Sequence, residues 1–303
     1  MDVSLSDSVA DNVPVWRYRL AFKPEGKGAQ RTLITQEQVW NKGKMVLDRP
    51  NKEDRTDNAR LTQTHLEQIQ ANASFRDIAE YMNDITYLHL VPQLLKYGDL
   101  IGGRRIEGDP FGQGFLEGIA KTPQKTRDAR LRRISKALQT AVPRFKDLRF
   151  GKDETTGQPH LEALYEHYRP NAGWQREDMF SDGTLRLLGL LWLLIEGNSL
   201  LLLEEPELSL NDGIVQQIPM MIQKALKESK KQRQTIVSTH SEALLANPGI
   251  DGRGVLLLEP IKEGTAIRSL TKEELDALRA GFSVAEVALP KTRPSTVQQL
   301  GLF

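Results

Sequence analysis

Leu200-Leu201-Leu202-Leu203-Glu204-Glu205-Pro206-Glu207 is the stretch on which the fold turns. Four successive leucines show no alternation of apolar and polar side chains. The strand they predict is therefore read as buried on both faces, the habit of a parallel sheet covered by helices. Carboxylates at the C-terminal end of such a strand stand where open parallel sheets place their ligands. Taken alone, Glu204-Glu205 is open to two readings. One acid can hold Mg²⁺ through water while its neighbour orients a water for attack, or both can be acidic loop residues capping a buried strand.

The same texture extends outward from this stretch. Upstream, Thr184 to Ile195 is a nearly all-apolar helix, stopped at Gly197-Asn198 by what reads as a left-handed cap. Downstream, an amphipathic helix is expected over Ile214 to Glu228 despite Pro219 near its start. A buried strand follows at Thr235 to Ser238, and a third at Gly254 to Leu258. Strands separated by helices make the fold class α/β, with a parallel sheet flanked by helices on both faces over residues 171–303. His240, just past the second strand, can donate to a phosphate oxygen or be a satisfied structural histidine. Phe180-Ser181-Asp182-Gly183-Thr184 opens the apolar helix. Ser181 and Gly183 can cradle phosphate at its positive end, or Ser181 can be an ordinary N-cap.

In their order along the chain these segments resemble the catalytic C-terminal half of an ABC-type ATPase, a P-loop NTPase. They are closer to the soluble RecF, SMC and OLD-like branch of AAA-family ATP-binding proteins than to transporter subunits. Phe180 to Thr184 matches the signature motif, Leu200 to Glu205 Walker B, Leu208-Ser209-Leu210-Asn211 the D-loop and His240 the switch histidine. The resemblance implies ATP and Mg²⁺ as cofactors. It implies that Glu204 holds the metal, Glu205 polarises the attacking water and His240 contacts the γ-phosphate. Ser181 and Gly183 would bind the γ-phosphate of a nucleotide held by a second copy, with Ser209 and Asn211 at that homodimer junction. It further implies a cytoplasmic ATPase acting in DNA repair or anti-phage defence, with a separate nuclease or effector chain as a possible partner. Asp182, where the family often has glycine, and Thr184, where it often has glutamine, depart from the pattern.

One element of that family is missing from the sequence. No G-x-x-x-x-G-K-[ST] loop occurs. The pairs Gly26-Lys27, Gly43-Lys44 and Gly151-Lys152 are followed by Gly28, Met45 and Asp153, and the positions where the first glycine belongs hold Ala21, Gln38 and Lys146. The expectation is an ATPase with an incomplete N-terminal lobe, from a truncated reading frame or a split protein, inactive in isolation. The alternative is a non-hydrolysing module that binds a partner or nucleic acid.

The first half has a different texture. Val15 to Phe22, Arg31 to Trp40 and Lys44 to Leu47 are joined by short turns and predict an antiparallel β-meander within residues 1–50. Arg49 to Arg60 reads as a charged, polar connector. A helical arm region with a β-hairpin is expected over residues 51–170. Helix is expected from Leu61, most clearly at Ser74 to Asn83, where Phe75, Ile78, Ala79 and Met82 share a face. Tyr87 to Val91 reads as strand and Leu100 to Gly118 as mostly loop. Lys125 to Ala141 reads as a helix buried through Leu131, Ile134, Leu138 and Ala141. Phe145 to Phe150 and His160 to Tyr168 read as a hairpin.

Composition narrows the function classes. The 303 residues carry 41 basic and 40 acidic side chains, a formal charge of +1, so no global field announces nucleic acid or membrane. The absence of cysteine removes disulfides, thiolate metal sites and cysteine nucleophiles. Leu185 to Ile195 is interrupted by Arg186 and is well short of the roughly 20 residues a membrane helix needs. Met1 to Asp11 lacks the basic-then-apolar start of a secretory signal. The one local charge excess is basic, from Lys121 to Lys152, where Arg127, Arg130, Arg132, Arg133 and Lys136 crowd one helix. It can face DNA or RNA backbone, or be a solvated helix face paired with acids elsewhere.

Overall fold

The computed structural model describes residues 1–8, 11–26, 31–98, 108–169, 173–197, 199–228, 233–262 and 264–292. The chain divides into two units, residues 1–85 and 86–303.

The first unit is built on the meander. Strands β1 (Asp2–Leu5), β2 (Trp16–Pro24), β3 (Thr32–Asn41) and β4 (Lys44–Arg49) form one antiparallel sheet in that order. β1 was not legible as a strand, because four residues cannot display a period. It is held by pairing and by Asp2, whose carboxylate accepts from both Arg17 and Arg19 across the ladder. Trp16, Tyr18 and Val39 pack with Phe75 and Ile78 in the core of this unit. Short helix α1 (Lys52–Thr56) opens on an Asn51/Asp54 capping box, and α2 (Arg76–Asn83) carries the Phe75/Ile78 face. The helix expected from Leu61 is instead a single 3-10 turn at Asn58–Thr62 followed by turns.

The Arg49–Arg60 segment is not a solvated connector. Arg49, Glu37 and Asp54 are each fully buried. Arg49 donates from Nη1 to Glu37 Oε2 at 2.6 Å, from Nε and Nη2 to both oxygens of Asp54 at 3.0 and 2.8 Å, and to the backbone carbonyls of Gln63 and Arg60 at 3.2 and 2.9 Å. Glu37 also accepts from the Tyr18 hydroxyl and from the backbone N–H groups of His65 and Leu66. The cation is matched by two carboxylates and its whole donor fork is used, which is the condition under which buried charge is tolerated. Its guanidinium holds the Asp54 carboxyl down at about 2.

The second unit is α/β. Its elements are β5 (Thr86–Leu88), α3 (Pro92–Tyr97), α4 (Phe115–Lys121), α5 (Gln124–Ala141), β6 (Phe145–Lys152), β7 (Pro159–Tyr165), β8 (Trp174–Arg176), α6 (Asp182–Ile195) and β9 (Leu201–Glu204). Then follow α7 (Asp212–Val215), α8 (Ile218–Glu228), β10 (Thr235–Ser238), α9 (Glu242–Leu245), β11 (Leu256–Ile261), β12 (Gly264–Ser269), α10 (Lys272–Arg279) and α11 (Val284–Thr292). The leucine run is the central strand of a three-stranded parallel sheet, order β10-β9-β5. Every residue of α6 from Thr184 to Trp192 is buried, so this helix is the spine of the core beneath the sheet. Gly197, at φ +74°, supplies the left-handed residue that ends it, while Asn198 lies outside the described residues. Pro219 divides the single helix expected over Ile214 to Glu228 into α7 and α8, sitting in the first turn of α8, where its missing N–H costs nothing.

Two expectations for the sheet are corrected. The third parallel strand is Thr86–Leu88, and the strand expected at Gly254 to Leu258 pairs antiparallel with β12 in a separate hairpin. Nor are both faces of the sheet covered. Leu201 and Leu203 are buried, but the row Tyr87–Leu202–Ile236 on the opposite face is open, with Tyr87 42% and Ile236 50% exposed. The outer edge of β10 carries no further strand among the described residues. The hairpin likewise turns Leu256, Leu258 and Ile267 outward, with Leu258 directly opposite Ile267. A strand without alternation records two apolar faces, and one of these is the partly exposed row Tyr87–Leu202–Ile236.

The arm hairpin β6–β7 forms as read and gains β8 as a third strand. Part of the glycine-rich Leu100 to Gly118 segment lies outside the described residues, and its end already belongs to α4. Helix α5 buries Leu131, Ile134 and Leu138 as expected. Its basic residues are largely used within the chain. Arg130 pairs with Glu196 at 2.8 Å, Arg133 with Glu228, and Arg127 lies 4.0 Å over the Phe150 ring, while Arg132 and Lys136 are exposed. No described helix is long and apolar enough to cross a membrane.

Candidate functional site

The ends of β9 and β10 converge because the strands are parallel and in register, Leu203 beside Val237 and Glu204 beside Ser238. The ladder continues one step beyond the strands, the Glu205 N–H donating to the Ser238 carbonyl at 3.0 Å. Glu205 has φ +43°, a left-handed conformation that a non-glycine residue adopts at a cost. There its carboxylate Oε1 lies 2.7 Å from Nδ1 of His240. Glu205 is partly buried, whereas the imidazole is largely exposed and is aimed by the turn that carries it. Two residues distant in the sequence thus meet at the carboxyl edge of the sheet.

Glu204 shares the open face with Leu202 and accepts at Oε2 a hydrogen bond from the Tyr87 hydroxyl on β5. The carboxylate pushes the Tyr87 phenol up from its ordinary range. No group of three or more His, Cys, Asp or Glu side chains is placed to hold a metal among the described residues. A single carboxylate suits a hard cation that keeps most of its waters and takes its other ligands from phosphate. That is the donor chemistry of Mg²⁺ with a nucleotide, and Glu204 fits it.

The start of α6 stands at a second corner. Ser181 is the N-cap, its Oγ accepting from the Thr184 N–H at 3.1 Å and lying 2.8 Å from Thr184 Oγ1. Asp182 is turned toward α3, accepting from Lys96 Nζ at 3.1 Å and Gln93 Nε2 at 3.0 Å, so its charge is compensated there. Gly183 meets the Ser209 carbonyl so closely that a Cβ would come within 2.6 Å of it. Ser209 itself has φ +62°, and Asn211 caps α7 through Gly213 N at 2.9 Å. The structure therefore brings Glu205 to His240, and Gly183 to Ser209. No hydrogen bond or ion pair joins Ser181 or Gly183 to Glu205 or His240 among the described residues. The local role of Ser181 and Asn211 is the capping one.

Three residues at this site escaped the sequence reading. Tyr87 acts through strand register, which no single segment displays. Glu207 is 7% exposed, with Oε1 accepting from the Thr239 hydroxyl and Oε2 without a partner. Arg186 is 5% exposed, with Nε and Nη1 unpartnered. Burial pushes its basicity down, against the pull of the Asp182, Glu207 and Glu205 carboxylates. A charged residue inside an apolar helix start was the available signal for Arg186.

A family model described as "AAA domain, putative AbiEii toxin, Type IV TA system" matches residues 1–246. The chain belongs to this AAA-domain family. No curated protein matches the chain. Several solved structures are similar to this AAA-domain protein. One is the Smc head domain with a coiled coil and joint from Pyrococcus yayanosii, at 19% identity and TM-score 0.39, covering 52% of this chain and 29% of that one. A second, described under ATP-driven dimerization and DNA-stimulated activation of SMC ATPases, gives 20% identity and TM-score 0.38 over 52% of this chain and 92% of that one. A third, an Smc head bound to the C-winged helix domain of ScpA, gives 14% identity and TM-score 0.45 over 88% and 78%. The AAA-domain chain thus spans less than a third of the first of these.

Proposed function

We propose that this AAA-domain chain is the signature-bearing part of an ABC-type ATPase that binds ATP, dimerises around it and hydrolyses it once a phosphate-binding loop is supplied. The observation that carries the reading is the Glu205–His240 contact at the ends of two adjacent parallel strands. In this reading Glu204 holds Mg²⁺ through water, Glu205 polarises the attacking water and His240 contacts the γ-phosphate. These are positioning and charge-stabilising tasks, the main work of phosphoryl transfer. When bound, Mg²⁺ would neutralise charge on the phosphates. Ser181 and Gly183 would meet the γ-phosphate of a nucleotide held by a second copy, with Ser209 and Asn211 at the junction.

The sequence contains no G-x-x-x-x-G-K-[ST] loop, and the outer edge of β10, the strand that ends just before Thr239 and His240, carries no further strand among the described residues. Both support a site completed by a separate phosphate-binding segment. In cytoplasmic DNA repair or defence, nucleic acid would reach the exposed Arg132 and Lys136, since Arg127, Arg130 and Arg133 are engaged within the chain. A nuclease or effector would be a separate chain.

Hydrolysis by the chain alone, and by the chain joined to its upstream coding sequence where that encodes a phosphate-binding loop, tests the proposal. The chain alone is expected to be inactive. The joined protein is expected to turn over ATP with Mg²⁺, and Glu205→Gln to bind ATP, dimerise and stop. Unchanged turnover in Glu205→Gln, or ordinary turnover by the chain alone, would overturn it.

A further inference from the structure

Glu207 is a buried acid beside the site, 7% exposed, with Oε2 left without a hydrogen-bond partner among the described residues. Burying a polar group is costly unless it is hydrogen-bonded. Its other oxygen accepts from the Thr239 hydroxyl. Thr239 in turn accepts from the Ser241 N–H at 3.0 Å, and Ser241 caps α9 through Leu244 N at 3.3 Å.

His240 stands between Thr239 and Ser241. Its ring is three-quarters exposed and meets Glu205. A ring so exposed takes its aim from the backbone turn on which it sits. That turn is fixed on both sides of His240 by the Thr239 hydroxyl.

We propose that Glu207 is a positioning residue, which acts through the Thr239 hydroxyl to hold His240 against Glu205. Glu207 fixes Thr239, and Thr239 fixes the turn. The proposal rests on the reading of Glu205 and His240 as the hydrolytic pair. Its test contains no nucleotide, so the two can fail separately.

The readout is the tautomer of His240, set by which ring nitrogen is hydrogen-bonded. Long-range ¹H–¹⁵N spectra of the full chain at about pH 8, above the ordinary histidine range, report it. The wild type is expected to show His240 protonated at Nδ1, donating to Glu205. His167 is the internal reference, because its Nδ1 accepts from the Arg169 N–H at 3.0 Å and so carries the opposite tautomer. Glu207→Met and Thr239→Val are each expected to shift His240 toward the pattern of a free imidazole while His167 stays. Thr239→Ser, which keeps the hydroxyl, is expected to keep the wild-type pattern. If Glu207→Met does not fold, Thr239→Val alone must still release His240. An unmoved His240 signal in Thr239→Val, or in Glu207→Met with only the melting temperature lowered, would overturn the proposal.

Discussion

A side chain of one carbon on Gly183 would stand 2.6 Å from the carbonyl oxygen of Ser209. The obstacle is backbone, so no rotamer change relieves it. The first turn of α6 and the corner after Glu207 are therefore in contact because residue 183 has no Cβ. Helix propensity favours alanine over glycine by about 1 kcal/mol, so a plain surface helix would gain from Gly183→Ala. Here the clash is expected to win, with a net loss of roughly 1–3 kcal/mol from overpacking. Chemical denaturation checks the sign, and a stabilised variant would show that the corner yields freely.

Tyr87→Phe removes the donor to Glu204 Oε2 while keeping the ring. The pair lies on the open face, so the cost to stability is expected to be small. The informative measurement is a spectrophotometric titration. The phenol missing from the variant is expected to be one that ionises above the ordinary tyrosine range, because the neighbouring carboxylate resists a second negative charge.

Arg49→Met leaves Glu37 and Asp54 buried with no cation between them. Breaking such a pair typically costs about 3–5 kcal/mol. The loss is expected in the first unit, visible as early urea unfolding of residues 1–85. A variant within 1 kcal/mol of wild type, on the order of an exposed pair, would mean that water reaches the cluster.

The same cluster sets an acid limit. Asp54 is held at about 2 in the folded chain against 3.8 for an unperturbed aspartate. A depressed carboxyl contributes stability above its unfolded value and loses it as pH falls through the folded one. Stability of the first unit should therefore decline from about pH 4 to about pH 2, by roughly 2 kcal/mol from this group. Asp54→Asn should be less stable at neutral pH and show a flatter acid limb.

Which parts of this architecture could be read in advance follows from how each is encoded. The leucine run, α6 and the buried stripe of α5 are long enough to display a period or its absence, and each forms where it was expected. β1 and β5 are four and three residues long and owe their existence to a neighbour's ladder. Residue type is a poor guide to the exposure of Arg49, because two carboxylates from separate segments make its burial tolerable. At the site, Glu204, Glu205 and His240 were singled out by order along the chain and by resemblance. Tyr87 and Thr239 matter only through cross-strand geometry, and Glu207 only through burial.

The exposed Tyr87 and Ile236, the rim of β10 that no further described strand pairs, and the outward leucines of the β11–β12 hairpin have a practical consequence for anyone purifying the chain. Unpaired backbone amides next to greasy side chains are a template on which other molecules stack. Loss of monomer with rising protein concentration should therefore set in before any loss of helix, and a single lysine at Ile236 should slow it.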